Sequence, residues 1–273
     1  MTLFADQQLL VQAGLFSGWL GCLLLLEHWF AWRNAPLHRW RVRLRNLLLG
    51  GSGALLGGLL APLASVQVAA WTSAHQFGLA NLAHFQGLGS SLAGYLALDL
   101  AIYAQHRASH RWRWFWRLHA THHSESHLDA TTAVRFHPLE IGVSLIWKAA
   151  TIAIIGVPVA AVIAFEVGLS IAVLFNHSNL ALPARLAHVL GWLLVSPDMH
   201  RVHHSVQRHE ADTNFGFCLP WWDHLFGTYS RSAGNQDPSL RIGFPGGDGP
   251  ATGSLTALLL LPLRIRRPND RVA

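Results

Sequence analysis

The chain has 273 residues, of which 51% are hydrophobic and only 12% charged, and its mean hydropathy is +0.29. That charged share is about half of what a soluble domain carries, which excludes an ordinary soluble enzyme and points to an all-α, polytopic membrane bundle of about four or five spans. The formal charge of +6 rests almost wholly on arginine beside apolar runs, a pattern that suits positive-inside topology and anionic headgroups rather than nucleic acid.

The first apolar stretch covers residues 9–32. The segment before it lacks a basic region and carries Asp6, so it reads as a retained span rather than a cleaved signal peptide. The second stretch, 47–71, is interrupted by glycines and by Pro62. The third runs over 88–104. The fourth, 141–175, is longer than the roughly 20 residues a single crossing needs, and Gly156-Val157-Pro158 sits near its middle. A tight helical hairpin, or a pair of short, tilted or partly re-entrant helices, is predicted there. Arg33, Arg39, Arg41, Arg43 and Arg45 follow the first stretch, and Arg107, Arg111, Arg113 and Arg117 follow the third, so both segments are predicted to be cytoplasmic. Three regions result: an N-terminal membrane region (1–87), a middle region (88–230) and a tail (231–273) with a short apolar, interfacial segment at 255–263.

Three histidine boxes lie in the middle region: His106 with His110, then His119, His122 and His123, then His200, His203 and His204. On a helix, residues three or four apart share a face. Neutral imidazole is the commonest protein ligand for transition metals. Eight such groups exceed what one four-coordinate ion takes, and they suit two metal ions. The last box can join the first two only if region 141–175 crosses twice or turns back. His177 is a further candidate ligand. His137 reads either as a tenth ligand or as a hydrogen-bonded interfacial residue.

Asp99, Tyr103, His106 and His110 fall on one helical face, and an aspartate within an apolar span calls for a partner. Asp99 and Tyr103 are candidates to support the site from outside the ligand set, as is Asp198. An almost purely imidazole site leaves metal charge uncompensated, so a nearby carboxylate is expected, with Asp198, Asp212 and Asp223 as candidates. Cys22 and Cys218 form no CxxC motif, and neither HExxH nor GxSxG occurs.

These residues, together with Trp116-Arg117-Leu118-His119, Thr132-Ala133-Val134-Arg135 with His137-Pro138, Asn176-His177-Ser178-Asn179, Asn214-Phe215-Gly216 and Trp222-Asp223-His224-Leu225-Phe226-Gly227-Thr228-Tyr229, resemble the fatty acid hydroxylase/sterol desaturase superfamily. The resemblance runs over about residues 99–229. It implies a membrane-bound, non-haem di-iron enzyme that uses dioxygen to hydroxylate or desaturate a lipid of the sterol, fatty acyl or sphingoid type. On that analogy His106, His110, His119, His122, His123, His177, His200, His203 and His204 hold two iron ions. Zinc is a possible substituting metal in purified protein. No His-Pro-Gly-Gly haem motif occurs, so electrons are expected from a separate ferredoxin- or cytochrome-type donor with its reductase. The composition suggests a bacterial inner membrane with the site on the cytoplasmic side. A metal transporter or other metal-binding membrane protein, and a zinc-dependent membrane hydrolase, are the alternative readings.

Overall fold

The computed structural model describes residues 2–230, 239–244 and 252–265. Within the tail, residues 231–238, 245–251 and 266–273 lie outside the described residues. Among the described residues the regular structure is helical. Four helices have the length and apolarity to cross a membrane: α1 (Thr2–Trp29), apolar enough over Leu10–Trp29, α5 (Gly87–Arg111), α7 (Pro138–Ile155) and α8 (Val159–Asn176).

The second apolar stretch does not form one helix. It divides into α2 (Arg39–Leu59) and α3 (Ser65–Ala74), separated by a 3-10 turn at Ala61–Leu63 that contains Pro62. Proline lacks the amide hydrogen that helix continuation needs, so the chain bends there. A short α4 (Leu79–Leu82) then leads into α5.

Region 141–175 folds as the predicted hairpin. Gly156 ends α7 in the left-handed conformation (φ 75°), where a Cβ would be strained, and Pro158 caps α8. Gly78 (φ 97°) approaches so closely that an added Cβ would stand 2.4 Å from the Gly156 nitrogen. The loop after α3 is thereby pinned to the hairpin turn. His75 and His84 flank this loop, at the end of the bundle remote from the start of α7.

Ile102, Ile152, Val162 and Phe165 form a buried core among α3, α5, α7 and α8. Leu15, Leu25, Leu92, Ile146 and Ile154 remain exposed, as expected of side chains that meet lipid. The remaining helices gather at one end of this bundle: α6 (Arg113–His123), α9 (Ala184–Leu193), α10 (Pro197–His203), α11 (Arg208–Ala211) and α12 (Trp221–Leu225). The apolar 255–263 segment forms α13 (Leu255–Leu259) and α14 (Leu261–Arg264). These pack against α2 and α6 and bury Leu258 and Leu261.

An ion-pair network ties the N-terminal helices to this end. Arg39 bridges Glu125 (3.0 Å) and Asp129 (2.7 Å), and Arg43 bridges Asp129 and Glu27. Asn46 and Arg135 extend it, because Arg135 donates to Asn46, to the Ser124 hydroxyl and to the Thr121 carbonyl. The last two acceptors flank His122 and His123. Burial alone would raise the Asp129 carboxyl, but Arg39, Thr131 and Arg43 outweigh it and hold the group at about 2.

Candidate metal centre

The hairpin brings the third histidine box to the first two. All nine histidines at 106, 110, 119, 122, 123, 177, 200, 203 and 204 are buried, and they fall into two groups. His106, His110, His119, His123 and His203 form the first; His122, His177, His200 and His204 form the second. Within each group the candidate ligand atoms lie within 4.8 Å of one another.

The boxes are shared between the groups in a reciprocal way. On α6, His119 and His123 enter the first group and His122 the second. On α10, His200 and the capping His204 enter the second group and His203 the first. Helix geometry accounts for this. Residues four apart differ by about 40° around the axis, whereas the intervening histidine is displaced by roughly 60–100°. Adjacent histidines such as His122-His123 therefore serve two separate sites. His177 reaches the second group because α8 ends at Asn176, directly before it.

Backbone and side-chain acceptors set the tautomers. His106 Nδ1 donates to the Phe215 carbonyl (2.8 Å), His177 Nδ1 to Val173 (2.6 Å) and His203 Nδ1 to Thr213 (2.7 Å). His119 Nδ1 donates to Glu140 Oε1 (2.7 Å). A carbonyl can only accept, so the Nδ1 atoms of His106, His177 and His203 carry the proton and their Nε2 atoms keep the lone pair, as does that of His119 when Glu140 is ionised. The Nε2 atoms of His106, His119 and His203 have no hydrogen-bond partner. His177 Nε2 lies 3.0 Å from the Nε2 atoms of both His122 and His200. Buried lone pairs at such spacing suit a cation, and the donor set is the borderline nitrogen type that iron, zinc and copper accept. The residues present thus fit two transition-metal ions.

Burial also keeps these rings uncharged. It pushes His119 and His177 down to about 3, the latter despite the Val173 carbonyl, which acts in the opposite direction. It holds His122, His123, His200, His203 and His204 well below the usual imidazole range, with neighbouring imidazoles adding to the effect. Neutral imidazole is the form that ligates.

The other candidates stand further out. Asp99 accepts from the Trp222 indole (2.8 Å), and the Tyr103 hydroxyl pairs with Thr228 (2.8 Å). Both clamp α5 to the α12 region. Asp223 accepts from the amides of Phe215 and Gly216, fixing the loop whose carbonyl holds His106. Asp198 lies in the first turn of α10. Asp212 Oδ1 stands 3.5 Å from His110 Nδ1. His137 lies outside both groups: its Nδ1 caps α7 by accepting from Leu139, and its Nε2 bonds to the Leu259 carbonyl.

Glu140 is the carboxylate that the sequence reading missed. A single acidic residue at the mouth of a long apolar stretch, three positions after His137, was the available signal. Replacing Glu140 with Ala should lower metal affinity about 10- to 100-fold, and Glu140→Gln, which keeps an acceptor for His119, should cost less. Metal titration of the two purified variants checks the order.

A cavity of about 280 Å³ opens beside the first group. His106, His119 and Glu140 line one part with Phe217 beside His106, and Ile102, Leu145 and Leu169 supply apolar wall from α5, α7 and α8.

A helical bundle with two adjoining, all-imidazole clusters, the first of them opening on a largely apolar cavity, defines a membrane protein whose buried histidine clusters could hold metal. The chain belongs to the fatty acid hydroxylase family, whose profile matches residues 91–228, just over half of it. It is 28% identical over 153 residues to ornithine lipid hydroxylase OlsE of Rhizobium tropici, covering 56% of this chain and 45% of that protein. It is 30% identical over 142 residues to alkylglycerol monooxygenase of Homo sapiens (50% and 30%). It is 28% identical over 145 residues to a very-long-chain aldehyde decarbonylase of Arabidopsis thaliana (50% and 22%). The chain therefore spans less than half the length of each of these relatives. No solved structure matches it.

Proposed function

We propose that the protein is a membrane-bound di-iron oxygenase that uses dioxygen and external electrons to hydroxylate or desaturate a lipid. The observation that carries this reading is a pair of adjoining histidine groups, the first of which opens onto a largely apolar cavity inside the bundle. Two of the relatives named above, an ornithine lipid hydroxylase and an alkylglycerol monooxygenase, support it.

His106, His110, His119, His123 and His203 would hold one iron and His122, His177, His200 and His204 the other. Bound there, the irons would supply dioxygen reduction and removal of hydrogen from an unactivated C–H bond. The chain's own contribution is positional. Glu140 and the Phe215, Thr213 and Val173 carbonyls fix ring orientation before any ligand arrives. Phe136, stacked on His122 at 4.2 Å, and Phe217, stacked on His106 at 4.7 Å, keep water from the rings. The cavity admits the lipid from the bilayer side. Electrons would come from a separate ferredoxin- or cytochrome-type donor on the cytoplasmic side of a bacterial inner membrane. Transport finds less support, because the ligands gather at one end of the bundle rather than along its length.

Anaerobically purified protein should contain about two iron ions per chain, in keeping with two imidazole sites. With a reductant, it should consume oxygen only when lipid is added, and label from isotopic dioxygen should enter an alcohol product or appear in water beside an alkene. Oxygen uptake indifferent to lipid would defeat the reading.

A further inference from the structure

Lys148 is the lone lysine of the chain, and it lies within α7, a candidate membrane span. Its ammonium donates to Glu166 Oε1 of α8 at 2.6 Å, and the Ser65 hydroxyl of α3 donates to the same oxygen at 2.7 Å. A charged pair at such depth is costly and marks a functional position by default. Helix packing would be served by a sealed pair. This one is not sealed: Lys148 lines the cavity that reaches His106 and His119, while Glu166 lines a separate groove between α1 and α8 beside Trp19. Ser170 borders both spaces.

The cavity wall is patterned. Glu140, Ser144 and Lys148 follow at i, i+4 and i+8 and form a polar stripe along one face of α7. Ser144 donates to Gln105 of α5 at 3.2 Å, so a second helix adds to the stripe. Ile102, Leu145, Leu169, Val173 and Phe217 supply apolar wall. A plain hydrocarbon chain would offer the remaining donors of the Lys148 ammonium nothing to bind. An ammonium carries three donors, and the Glu166 contact uses one of them. From Glu140, beside the histidines, to Lys148 is eight residues, or about 12 Å along the helix axis.

We infer that Lys148, held by Glu166, is a specificity-determining residue that donates a hydrogen bond to a neutral oxygen acceptor on the lipid, about two helical turns from the atoms presented to the histidines. The substrate class is a lipid with an ester or amide carbonyl, or a hydroxyl, at that separation. A carboxylate suits the site less well, because Glu166 already neutralises the ammonium. This inference deepens the lipid-oxygenase reading and rests on it for the cavity's role.

The test is a binding measurement, so that its failure and that of the oxygenase reading stay distinct. Purified protein in detergent is equilibrated with tritiated probes of equal chain length: a monoacylglycerol, an N-acyl amide, a long-chain alcohol and the alkane. The wild type should retain at least one oxygen-bearing probe about tenfold better than the alkane, the scale of one charge-assisted hydrogen bond. The probe that leads identifies the acceptor. Lys148→Met should remove the preference and leave alkane retention and metal content unchanged. If that variant fails to fold with Glu166 unpaired, the double variant Lys148→Met, Glu166→Met removes both charges together, an exchange membrane and core sites often tolerate. Equal retention of all probes by the wild type, a preference that survives in the double variant, or loss of alkane and oxygen-bearing probes in parallel overturns the inference.

Discussion

His122→Ala protein is expected to lose turnover completely and to carry about one metal ion fewer per chain, because its group drops from four imidazoles to three. His203→Ala should also abolish turnover, yet retain more metal. Its group starts with five histidines and keeps four, while Thr213 loses its ring partner. The two variants thus separate ligand number from catalytic competence. Metal analysis alongside lipid-dependent oxygen uptake checks both. Full turnover by either variant, or equal metal loss in the two, would contradict the assignment of His122 and His203 to different groups.

Arg39→Ala is expected to be the most destabilising change outside the histidines. It leaves Asp129 and Glu125 buried with a missing partner, a loss of about 3–5 kcal/mol for a broken buried pair. Arg43 still reaches Asp129, and Arg135 stands 3.6 Å from Glu125, which places the loss toward the lower end of that range. Arg39→Lys should recover only part, since a single ammonium does not reproduce a guanidinium fork that engages two carboxylates. Thermal melting in detergent measures the loss. The pH dependence has a definite sign. Asp129 is held at about 2 in the folded protein, below the ordinary aspartate value near 3.9. Its contribution is therefore complete above about pH 4 and fades as pH falls toward 2. The Arg39→Ala protein should show a shallower loss of stability over that acid range than the wild type.

The helical class and the hairpin were legible because both depend on local signals: apolar run length, and a Gly-Val-Pro break in a stretch too long for one crossing. The boxes were legible as ligand candidates for the same reason. Their division into two groups was not, since spacing says that His119, His122 and His123 lie near one face but not that His122 turns toward α8. Pro62 was visible as an interruption, yet the second stretch still read as one span. The arginines after the first stretch read as topology signals, whereas Arg39 and Arg43 are also bound into a network with Glu125 and Asp129, more than 80 positions away. Pairings over such separations leave no periodicity to read. Glu140 escaped for a related reason: its partner His119 lies 21 residues away on another helix.

The exchange of one histidine between α6 and α10 bears on the order in which the protein matures during synthesis. Four of the five rings in the first group come from α5 and α6, which emerge before the hairpin. The second group then has only His122, and it waits for His177, His200 and His204. If both groups take metals, they load in sequence: one ion can be captured by a nascent chain still threading into the bilayer, and the other only after the last two membrane crossings are in place. Completion of the second ligand set would in that case report that both helices of the hairpin have been inserted.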